Sequence, residues 1–539
     1  IVIAKITQMN GNEITYMLNG TTSDGSFSLL GVYKCTVQLA GLDLTNSQGA
    51  AINIANGKRI KLSAKKGSVN SLTDGSNGSQ KGCIYSKGQL QIQGNGVLNI
   101  TGNTKHAIKS GDYISVKNLT LNINKAVGDG ISCNEYFLME SGLLTISGVG
   151  DDGIQCDLDG DSSTGETVDH EDEDSGNMYI HGGTINVSVT ADAAKGIKSE
   201  GAIKVYGGDI AVTTSGGGVW DSDEMKTKAA SCIDADGDMY ISGGALNLAS
   251  SGAGGKGISG NGMFTAVGGV VMVSTSGNAV VASSSGVVST ITSSQQLDHY
   301  DSDYKSSPKG IKVDGAILIS DSAVVSVTTA GAGGEGVESK HSIEITGGQL
   351  TVDATDDAIN ASYETSTGGT GNISISGGMV YARSTGNDGI DSNGNCYIKG
   401  GVVYAVGSSQ PEVAIDANSE EQKKLYVTGG VIIAIGGLES GSSLTQACYQ
   451  ASSWSKNTWY AITVGNETIA FRTPASGGST LVVSGTSQPT LKSGITVNSG
   501  TEIFNGNGFV EAVISGGSSV TLSSYSGGTG GGGGRPGWN

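Results

Sequence analysis

Proline, aromatic residues and long apolar runs are all scarce in this chain. Five prolines and 5% aromatic residues occur in 539 residues, beside 89 glycines. This composition fits neither collagen nor an ordinary disordered linker, and it favours many tight turns between short strands. No apolar run reaches the roughly 18 residues that a membrane-spanning helix needs, so the sequence predicts no transmembrane segment.

Basic residues are also few. The 31 Lys and Arg residues stand against 50 Asp and Glu residues, which gives a formal charge of −19. We therefore predict no nucleic-acid partner and regard metal cations as the natural counter-charge. The seven scattered cysteines form no CxxC pair and are predicted to be small packing residues. The sequence begins at Ile1 without a methionine, which indicates a trimmed leader and export from, or to the surface of, a bacterial cell.

A short phrase recurs along the chain, as in GDGISCN, DDGIQCD and KGIKSEG. Its aliphatic residue returns at intervals of about 22 to 26 residues where no insertion intervenes. A Gly-Gly pair followed by alternating apolar residues, as in HGGTINVSV, lies between successive phrases and predicts strands. A unit of this length is too short to fold alone and has to stack on its neighbours. The aliphatic residues are Ile84, Ile108, Ile131, Ile154, Ile197, Ile233, Ile258, Ile311, Val337, Ile359, Ile390 and Ile415.

The repeat predicts an all-β parallel β-helix with about three short strands in each coil. The residue two after the aliphatic position is small, as at Cys133 and Cys156, and should form an inward column. The residue between them is polar and should face water. Right-handed crossovers are the strong default. We predict an N-terminal cap with early coils over 1–80, the β-helix over 81–437, an antiparallel β cap over 438–526 and a flexible Gly-rich tail over 527–539.

Four insertions interrupt the regular spacing, near residues 158–175, 216–230, 281–308 and 363–371. Two of them follow the phrase and two precede it. They are therefore predicted to wall both sides of one polar strand face, which makes a groove suited to an extended ligand. The alternative is that these loops lie on the surface of the solenoid without forming a groove.

Paired aspartates predict a calcium site. Asp129 and Asp152 occupy the same position, two before the aliphatic residue, in consecutive coils about 4.8 Å apart. Two oxygens on opposite sides of one calcium ion lie about 4.6–5.2 Å apart, so the coil spacing matches the ion. Asp151 and Asp157 add ligands, and the acid-rich loop that follows adds more. The alternative is a charge run that simply stays hydrated.

Two further groups of aspartates are predicted to bind calcium on the same reasoning. Both place carboxylates at or beside the phrase in neighbouring coils. The members are Asp356, Asp357, Asp388 and Asp391 in one group, and Asp234, Asp236 and Asp238 with Asp221, Asp223 and Glu224 of the preceding loop in the other.

Lysines and tyrosines supply candidate sugar contacts. Lys198 and Lys312 are predicted to face the groove and contact sugars. A polysaccharide lyase needs a lysine of lowered pKa beside calcium, so Lys195 and Lys198 are the candidate catalytic residues if the chain is a lyase. The other interpretation is solvated lysines that balance acidic neighbours. Tyr381 and Tyr404 share one outward position in adjacent coils and predict a platform for sugar rings, unless the C-terminal segment covers them.

The chain resembles a family of secreted bacterial β-helix proteins, known as a carbohydrate-binding domain family, with a clostridial member that binds cellulose and acidic sugars. The segments LAGLDLTNSQGAAI, GDGISCN, DDGIQCD and KGIKSEGAIKVYGGDI carry the resemblance. It implies a right-handed parallel β-helix similar to pectate lyases, bound calcium, and binding of plant cell-wall polysaccharide without established cleavage. Carried onto this sequence, calcium ligation falls on Asp129, Asp151 and Asp152, and on Asp357 and Asp388.

These observations favour a monomeric, calcium-bearing, non-catalytic protein that binds polysaccharides such as polygalacturonate and cellulose. A calcium-dependent lyase acting by β-elimination is the second hypothesis. A structural surface adhesin is the third.

Overall fold

The computed structural model describes residues 5–9, 13–158 and 175–527. The acid-rich loop at 159–174 and the tail at 528–539, both singled out above, lie outside the described residues. The chain divides into two compact units, one of residues 1–262 with 282–288 and the other of residues 263–281 with 289–539.

The first unit is a stack of coils in which every regular coil supplies three strands. We call the column of strands that carries the recurring phrase the phrase ladder, the next column the middle ladder, and the column after the Gly-Gly pair the Gly-Gly ladder. Pairing within each ladder is parallel and keeps the predicted register, with Ile131 opposite Ile154 and Ile154 opposite Ile197. The predicted parallel β-helix is therefore confirmed.

The strands of the first unit follow this order. The phrase ladder contains Phe27–Leu29, Ile52–Ile54, Gly82–Ser86, His106–Ser110, Ile131–Asn134, Ile154–Asp157, Lys195–Ser199, Ser231–Ala235 and Lys256–Gly260. The middle ladder contains Ile60–Ala64, Leu90–Gly94, Ile114–Lys117, Tyr136–Met139, Asn177–Ile180, Ile203–Val205 and Met239–Ile241. The Gly-Gly ladder contains Cys35–Asn46, Val69–Asp74, Val97–Thr101, Thr120–Lys125, Leu143–Val149, Thr184–Val189, Asp209–Thr214 and Ala245–Ser250.

Two pieces of the first unit depart from this pattern. Lys5–Met9 pairs antiparallel with Glu13–Thr22, which in turn pairs parallel with Cys35–Asn46. The insertion at 216–230 folds as a small hairpin of Val219–Asp221 and Lys226–Lys228.

The second unit repeats the three ladders and then changes to antiparallel pairing. Its phrase ladder contains Lys309–Val313, Glu335–Ser339, Ile359–Ala361 and Ile390–Ser392. Its middle ladder contains Phe264–Ala266, Ile317–Ile319, Ser342–Ile345, Asn372–Ile375, Cys396–Ile398, Leu425–Val427 and Ser443–Leu444. Its Gly-Gly ladder contains Val270–Thr275, Val324–Thr329, Gln349–Ala354, Met379–Ser384, Val402–Val406 and Val431–Ile435.

The C-terminal part is antiparallel, as its alternating apolar residues predict. Cys448–Ala451, Leu481–Ser484 and Leu522–Tyr525 pair antiparallel, and Leu481–Ser484 joins them to Val431–Ile435. A closed four-stranded barrel is made of Trp459–Val464, Glu467–Arg472, Thr490–Ile503 and Gly508–Val520.

The remaining elements are short strands and 3₁₀-helices. The longest insertion carries the strands Val280–Ala282, Val288–Thr290 and Lys305–Ser306. The helical elements of the described residues are short 3₁₀-helices at Ser294–His299, Ser302–Tyr304, Thr365–Thr367, Ser419–Glu421 and Phe504–Gly506. Within the same residues, no helix has the length and apolarity needed to cross a membrane.

Glycine and small side chains explain why the repeat is so regular. A Cβ on Gly153 would lie 2.4 Å from the carbonyl oxygen of Gly196, so the glycine before the isoleucine is required by the close approach of the next coil. Gly183 and Gly208, the second members of two Gly-Gly pairs, have φ of +87° and +96°, which other residues rarely adopt. Cys133 and Cys156 are fully buried, so the predicted inward column of small residues is confirmed.

Candidate functional site

The position two before the phrase isoleucine forms a hydrogen-bonded column along the phrase ladder. We call it the slot. Asp129 Oδ1 accepts from the backbone N–H of Asp152 at 3.3 Å, and Asp152 Oδ1 accepts from the N–H of Lys195 at 2.6 Å. In the second unit, Asp357 Oδ1 and Asp388 Oδ1 accept in the same way from the slot residues of the coils that follow them. Each slot aspartate therefore uses one oxygen to hold the next coil.

The first acidic cluster consists of Asp129, Asp151 and Asp152. Each offers a carboxylate oxygen, and these oxygens all lie within 4.8 Å of one another. Asp129 and Asp152 are buried, whereas Asp151 is exposed. The structure thus brings together three of the four aspartates predicted to bind the first calcium ion.

The charges of this cluster are unfavourable without a cation. Burial raises the pKa of Asp152 to about 7, and the neighbouring carboxylates add to the shift although Lys198 and the Lys195 N–H oppose it. Burial and the charge of Asp129 also raise the pKa of Asp151. A bound cation would reverse these effects because it favours the charged form.

Three basic side chains border the first cluster. His106 Nδ1 lies 3.0 Å from Asp129 Oδ2, and the Lys198 ammonium lies 4.0 Å from Asp152 Oδ2. Lys195 donates from its ammonium to the backbone oxygen of Ala229, and burial lowers its pKa. The sequence reasoning missed His106. The signal was present, since HAIKSG places this histidine in the slot that Asp129 and Asp152 fill.

The second acidic cluster consists of Asp357, Asp388 and Asp391. Its carboxylate oxygens also lie within 4.8 Å of one another. Burial raises the pKa of Asp357 well above its ordinary value, and the surrounding carboxylates raise it further. Asp356 is not among the three residues whose oxygens converge, and its Oδ1 accepts from the Asn387 side chain at 2.9 Å.

A buried amide oxygen lies beside the second cluster. Within the described residues, the side-chain oxygen of Asn360 has no hydrogen-bond partner, although Asn360 is only 8% exposed. Asn360 pairs in register with Asp391, so both side chains leave the strand on the same side. An orphaned buried acceptor next to three carboxylates fits an oxygen-coordinated cation, because such an ion satisfies acceptors that no donor reaches.

One coil further along, two more acids form a hydrogen-bonded carboxyl pair. Burial raises the pKa of Asp416 to about 10, and a hydrogen bond with Glu439 adds to the shift. The sequence reasoning did not include Glu439, whose coil lies beyond the last recurrence of the phrase.

In the preceding coils of the second unit, a lysine ammonium lies among the carboxylates. The Lys309 ammonium contacts the carboxylates of Glu335, at 2.9 Å, and Glu338. Lys340 contacts the other oxygen of Glu338 at 2.9 Å. Although burial opposes charge, these carboxylates raise the pKa of Lys309, and the two lysines hold the pKa of Glu338 below its ordinary range.

The remaining predicted calcium ligands are not gathered in the described residues. Asp157 accepts from Gln155 at 2.6 Å, and Asp236 accepts from Asn261 at 2.7 Å. Asp234 lies in register with Lys198 and joins no group of three potential ligands among the described residues. The described residues therefore do not gather a third cluster, and the acids of the 216–230 hairpin are paired with lysines instead. Those pairs are Asp221 with Lys228, and Glu224 with Lys226 and Lys228.

The tyrosine platform is also wrong. Tyr404 is 0% and Tyr381 4% exposed, since both pack against Phe504 under the C-terminal barrel. The Tyr404 hydroxyl donates to the backbone oxygen of Arg472 at 2.9 Å. The alternative interpretation, that the C-terminal segment covers these rings, is the correct one. Lys312, the other predicted sugar contact of the second unit, forms an ion pair with Asp314.

The chain is similar in sequence to known proteins. A family model described as "Carbohydrate-binding domain-containing protein" matches residues 5–279 and 302–469. A curated relative of the same description from Acetivibrio thermocellus is 27% identical over 111 residues, which are 19% of this chain and 39% of the relative. The match therefore spans well under half the length of that relative.

A solved structure of a polysaccharide lyase-like protein from C. thermocellum, obtained as a gadolinium derivative, is similar at 23% identity with a TM-score of 0.34. That alignment covers 44% of this chain and 89% of the other. The family model, in contrast, matches two long segments that together make up most of the sequence. The resemblance carried by the recurring phrase is thereby confirmed, and the chain belongs to the family of carbohydrate-binding domain-containing proteins.

Proposed function

We propose that this chain binds acidic polysaccharides of the plant cell wall, such as polygalacturonate, through calcium held by the two acidic clusters, and that it does so outside the bacterial cell. The observation that carries the proposal is the convergence of three carboxylates within 4.8 Å in each cluster. Family membership supports carbohydrate as the ligand class.

The ligand set favours calcium over softer metals. Asp129, Asp151 and Asp152 would hold one ion, and Asp357, Asp388 and Asp391 would hold another, with the Asn360 oxygen as an added neutral donor. Hard carboxylate and amide oxygens suit calcium rather than zinc or copper. When bound, calcium supplies positive charge and open coordination positions that accept sugar carboxylates.

The chain's own residues add a direct contact beside the first cluster. The Lys198 side chain is 35% exposed, and its ammonium lies 4.0 Å from Asp152 Oδ2, a long ion pair. It can therefore turn to a sugar carboxylate that approaches the cluster. Lys312 is less suited to this role, because Asp314 already engages its charge.

Retention on immobilised polygalacturonate tests the proposal. We expect binding in calcium that excess chelator abolishes, and a loss with Asp152→Asn or Asp388→Asn. Asp209→Asn is the matched control, since Asp209 is an exposed strand residue outside both clusters. Calcium-independent retention that neither cluster variant changes would contradict the proposal. Retention on cellulose, measured in parallel, tests the second proposed glycan.

A calcium-dependent lyase is the alternative, and one observation favours it. Lys195 is buried next to the first cluster with a lowered pKa, as a base that removes a proton from a uronate requires. If polygalacturonate with calcium gives unsaturated sugar ends, and Lys195→Ala or Lys198→Ala stops this while sparing retention, the chain is a lyase. If it neither binds nor cleaves any glycan, a structural adhesin replaces both.

A further inference from the structure

An exposed aromatic and basic surface lies on the middle ladder of the first unit, away from the slot. The strands Asn177–Ile180, Ile203–Val205 and Met239–Ile241 alternate inward and outward residues. Lys204 points outward between Tyr179 and Tyr240, its partners in register in the two adjacent strands. His181 and Tyr206 follow directly after their strands and are both exposed. We call His181, Lys204, Tyr206 and Tyr240 the ring patch.

The rings of this patch contact one another across coils. The His181 and Tyr206 rings lie 5.2 Å apart between centroids at 78°, and the Tyr206 and Tyr240 rings lie 6.4 Å apart at 59°. Tyr206 remains 46% exposed, in contrast to the buried Tyr381 and Tyr404. A chain with only 5% aromatic residues thus presents three neighbouring rings on one accessible surface.

The patch also carries a positive charge that no acid neutralises. Among the described residues, no carboxylate forms an ion pair with Lys204, whose ammonium lies 5.5 Å from the centre of the Tyr179 ring. Glu140, which precedes His181 by one coil, is already paired with Lys117. An ammonium that forms no ion pair within the described residues suits an anionic ligand.

We propose that the ring patch is a second, metal-independent binding site for a uronate-containing glycan. The exposed Tyr206 ring packs against the apolar face of a sugar ring, and the Lys204 ammonium donates to the sugar carboxylate. Three coils at about 4.8 Å span about 10 Å, which leaves room for more than one sugar ring along the ladder. The ligand class rests on the proposed function, but the site does not, because it needs neither acidic cluster.

Retention on polygalacturonate in excess chelator and low salt isolates this site, since chelator removes the contribution of calcium. We expect residual binding that becomes roughly tenfold weaker in Lys204→Ala, as expected for one lost hydrogen bond to a charged group. Tyr206→Ala should weaken it similarly, whereas Tyr206→Phe, which keeps the ring, should not. Lys61→Ala is the matched control, because Lys61 lies in an outward column of the same ladder but pairs with Glu13 at 3.7 Å.

Several outcomes would overturn the proposal. One is that the parent protein shows no retention in excess chelator. Another is that Lys204→Ala and Tyr206→Ala leave this retention unchanged. Equal retention on a neutral glucan, insensitive to Lys204→Ala, would also reject an acidic ligand. The two proposals fail separately: Asp152→Asn acts only on calcium-dependent retention, and Tyr206→Ala only on the chelator-resistant part.

Discussion

At the residue scale, a slot aspartate has two separate tasks. One oxygen of Asp152 accepts the N–H of Lys195 and holds the next coil in register, while the other faces the acidic cluster and Lys198. The structural task explains why an aspartate can be buried there, and the second oxygen gives the position its chemistry. An asparagine keeps the acceptor for the coil contact but loses the charge.

Asp152→Asn should therefore separate metal binding from folding. An ion bound only by the folded chain stabilises it by about 2.7 kcal/mol at a hundredfold excess over its Kd. We expect chelator to lower the melting temperature of the parent protein by several degrees and that of Asp152→Asn by clearly less. Calorimetry at matched ionic strength checks this, with Asp209→Asn as control. Identical chelator responses in parent and Asp152→Asn would exclude calcium at the first cluster.

The buried charge of Asp152 also predicts a pH dependence in metal-free protein. Burial raises its pKa to about 7, whereas an unfolded aspartate titrates near 3.9. Between about pH 4 and 7 the folded chain retains a proton that the unfolded chain has lost, so stability should fall as pH rises through this window. We expect the urea midpoint of chelated protein to fall over that range and that of Asp152→Asn to fall less. Parallel pH profiles for the two proteins would contradict this assignment.

At the element scale, the phrase ladder of the second unit carries two kinds of acidic group on the same backbone: one contains a lysine, and the other consists of converging carboxylates. Glu335 and Glu338 surround Lys309, so the cation is part of the chain. In the coils that follow, Asp357 and Asp388 take the slot and carboxylates converge without a lysine among them. The same strand geometry thus supports both solutions.

Breaking the internal ion pairs should be costly. Glu338 is 2% exposed and contacts both Lys309 and Lys340, so Glu338→Gln removes the buried carboxylate that the two ammonium groups share. We expect a loss of about 3–5 kcal/mol in the free energy of unfolding, measured by urea denaturation. Glu344→Gln, at an exposed position of the next strand, should have little effect. Equal stability of the two variants would show that the network contributes nothing.

Local patterns predicted the ladders well because each coil stacks on an almost identical neighbour. The same patterns placed Asp129 beside Asp152 and Asp357 beside Asp388, since slot spacing equals strand spacing. They failed where distant segments decide the outcome. Phe504 covers Tyr381 from more than 100 residues away, a contact that no repeat encodes. Likewise, the lysines of the 216–230 hairpin form ion pairs with the acids that were expected to join Asp234 and Asp236.

At the scale of the whole molecule, an aromatic core packs the C-terminal barrel against the last coils of the second unit. Tyr381, Tyr404, Tyr460, Phe471 and Phe504 belong to one buried cluster. The barrel thus removes from solvent the rings that would otherwise form the sugar platform predicted above. Exposed aromatic surface is left instead on the ring patch of the first unit.

Tyr404→Ala should loosen this attachment. Removing a fully buried aromatic side chain costs about 3–5 kcal/mol through lost burial and the cavity that remains. We expect a lower urea midpoint and faster proteolysis within residues 448–527, with the calcium-dependent retention preserved. Tyr206→Ala is the comparison, because the same truncation at an exposed tyrosine should leave the midpoint almost unchanged. If Tyr404→Ala lost retention while its urea midpoint stayed unchanged, Tyr404 would contribute to glycan binding and the prediction would be wrong.

The seven cysteines are all unpaired thiols and all buried, and they are distributed from Cys35 to Cys448. Burial raises the pKa of Cys83 and Cys396, and a thiol reacts with alkylating agents only as the thiolate. Each cysteine therefore stays unreactive until the segment around it opens and exposes its thiol. Timed alkylation followed by peptide mass spectrometry would give an opening rate for each of seven places along the chain, and so reveal the coil at which unfolding begins.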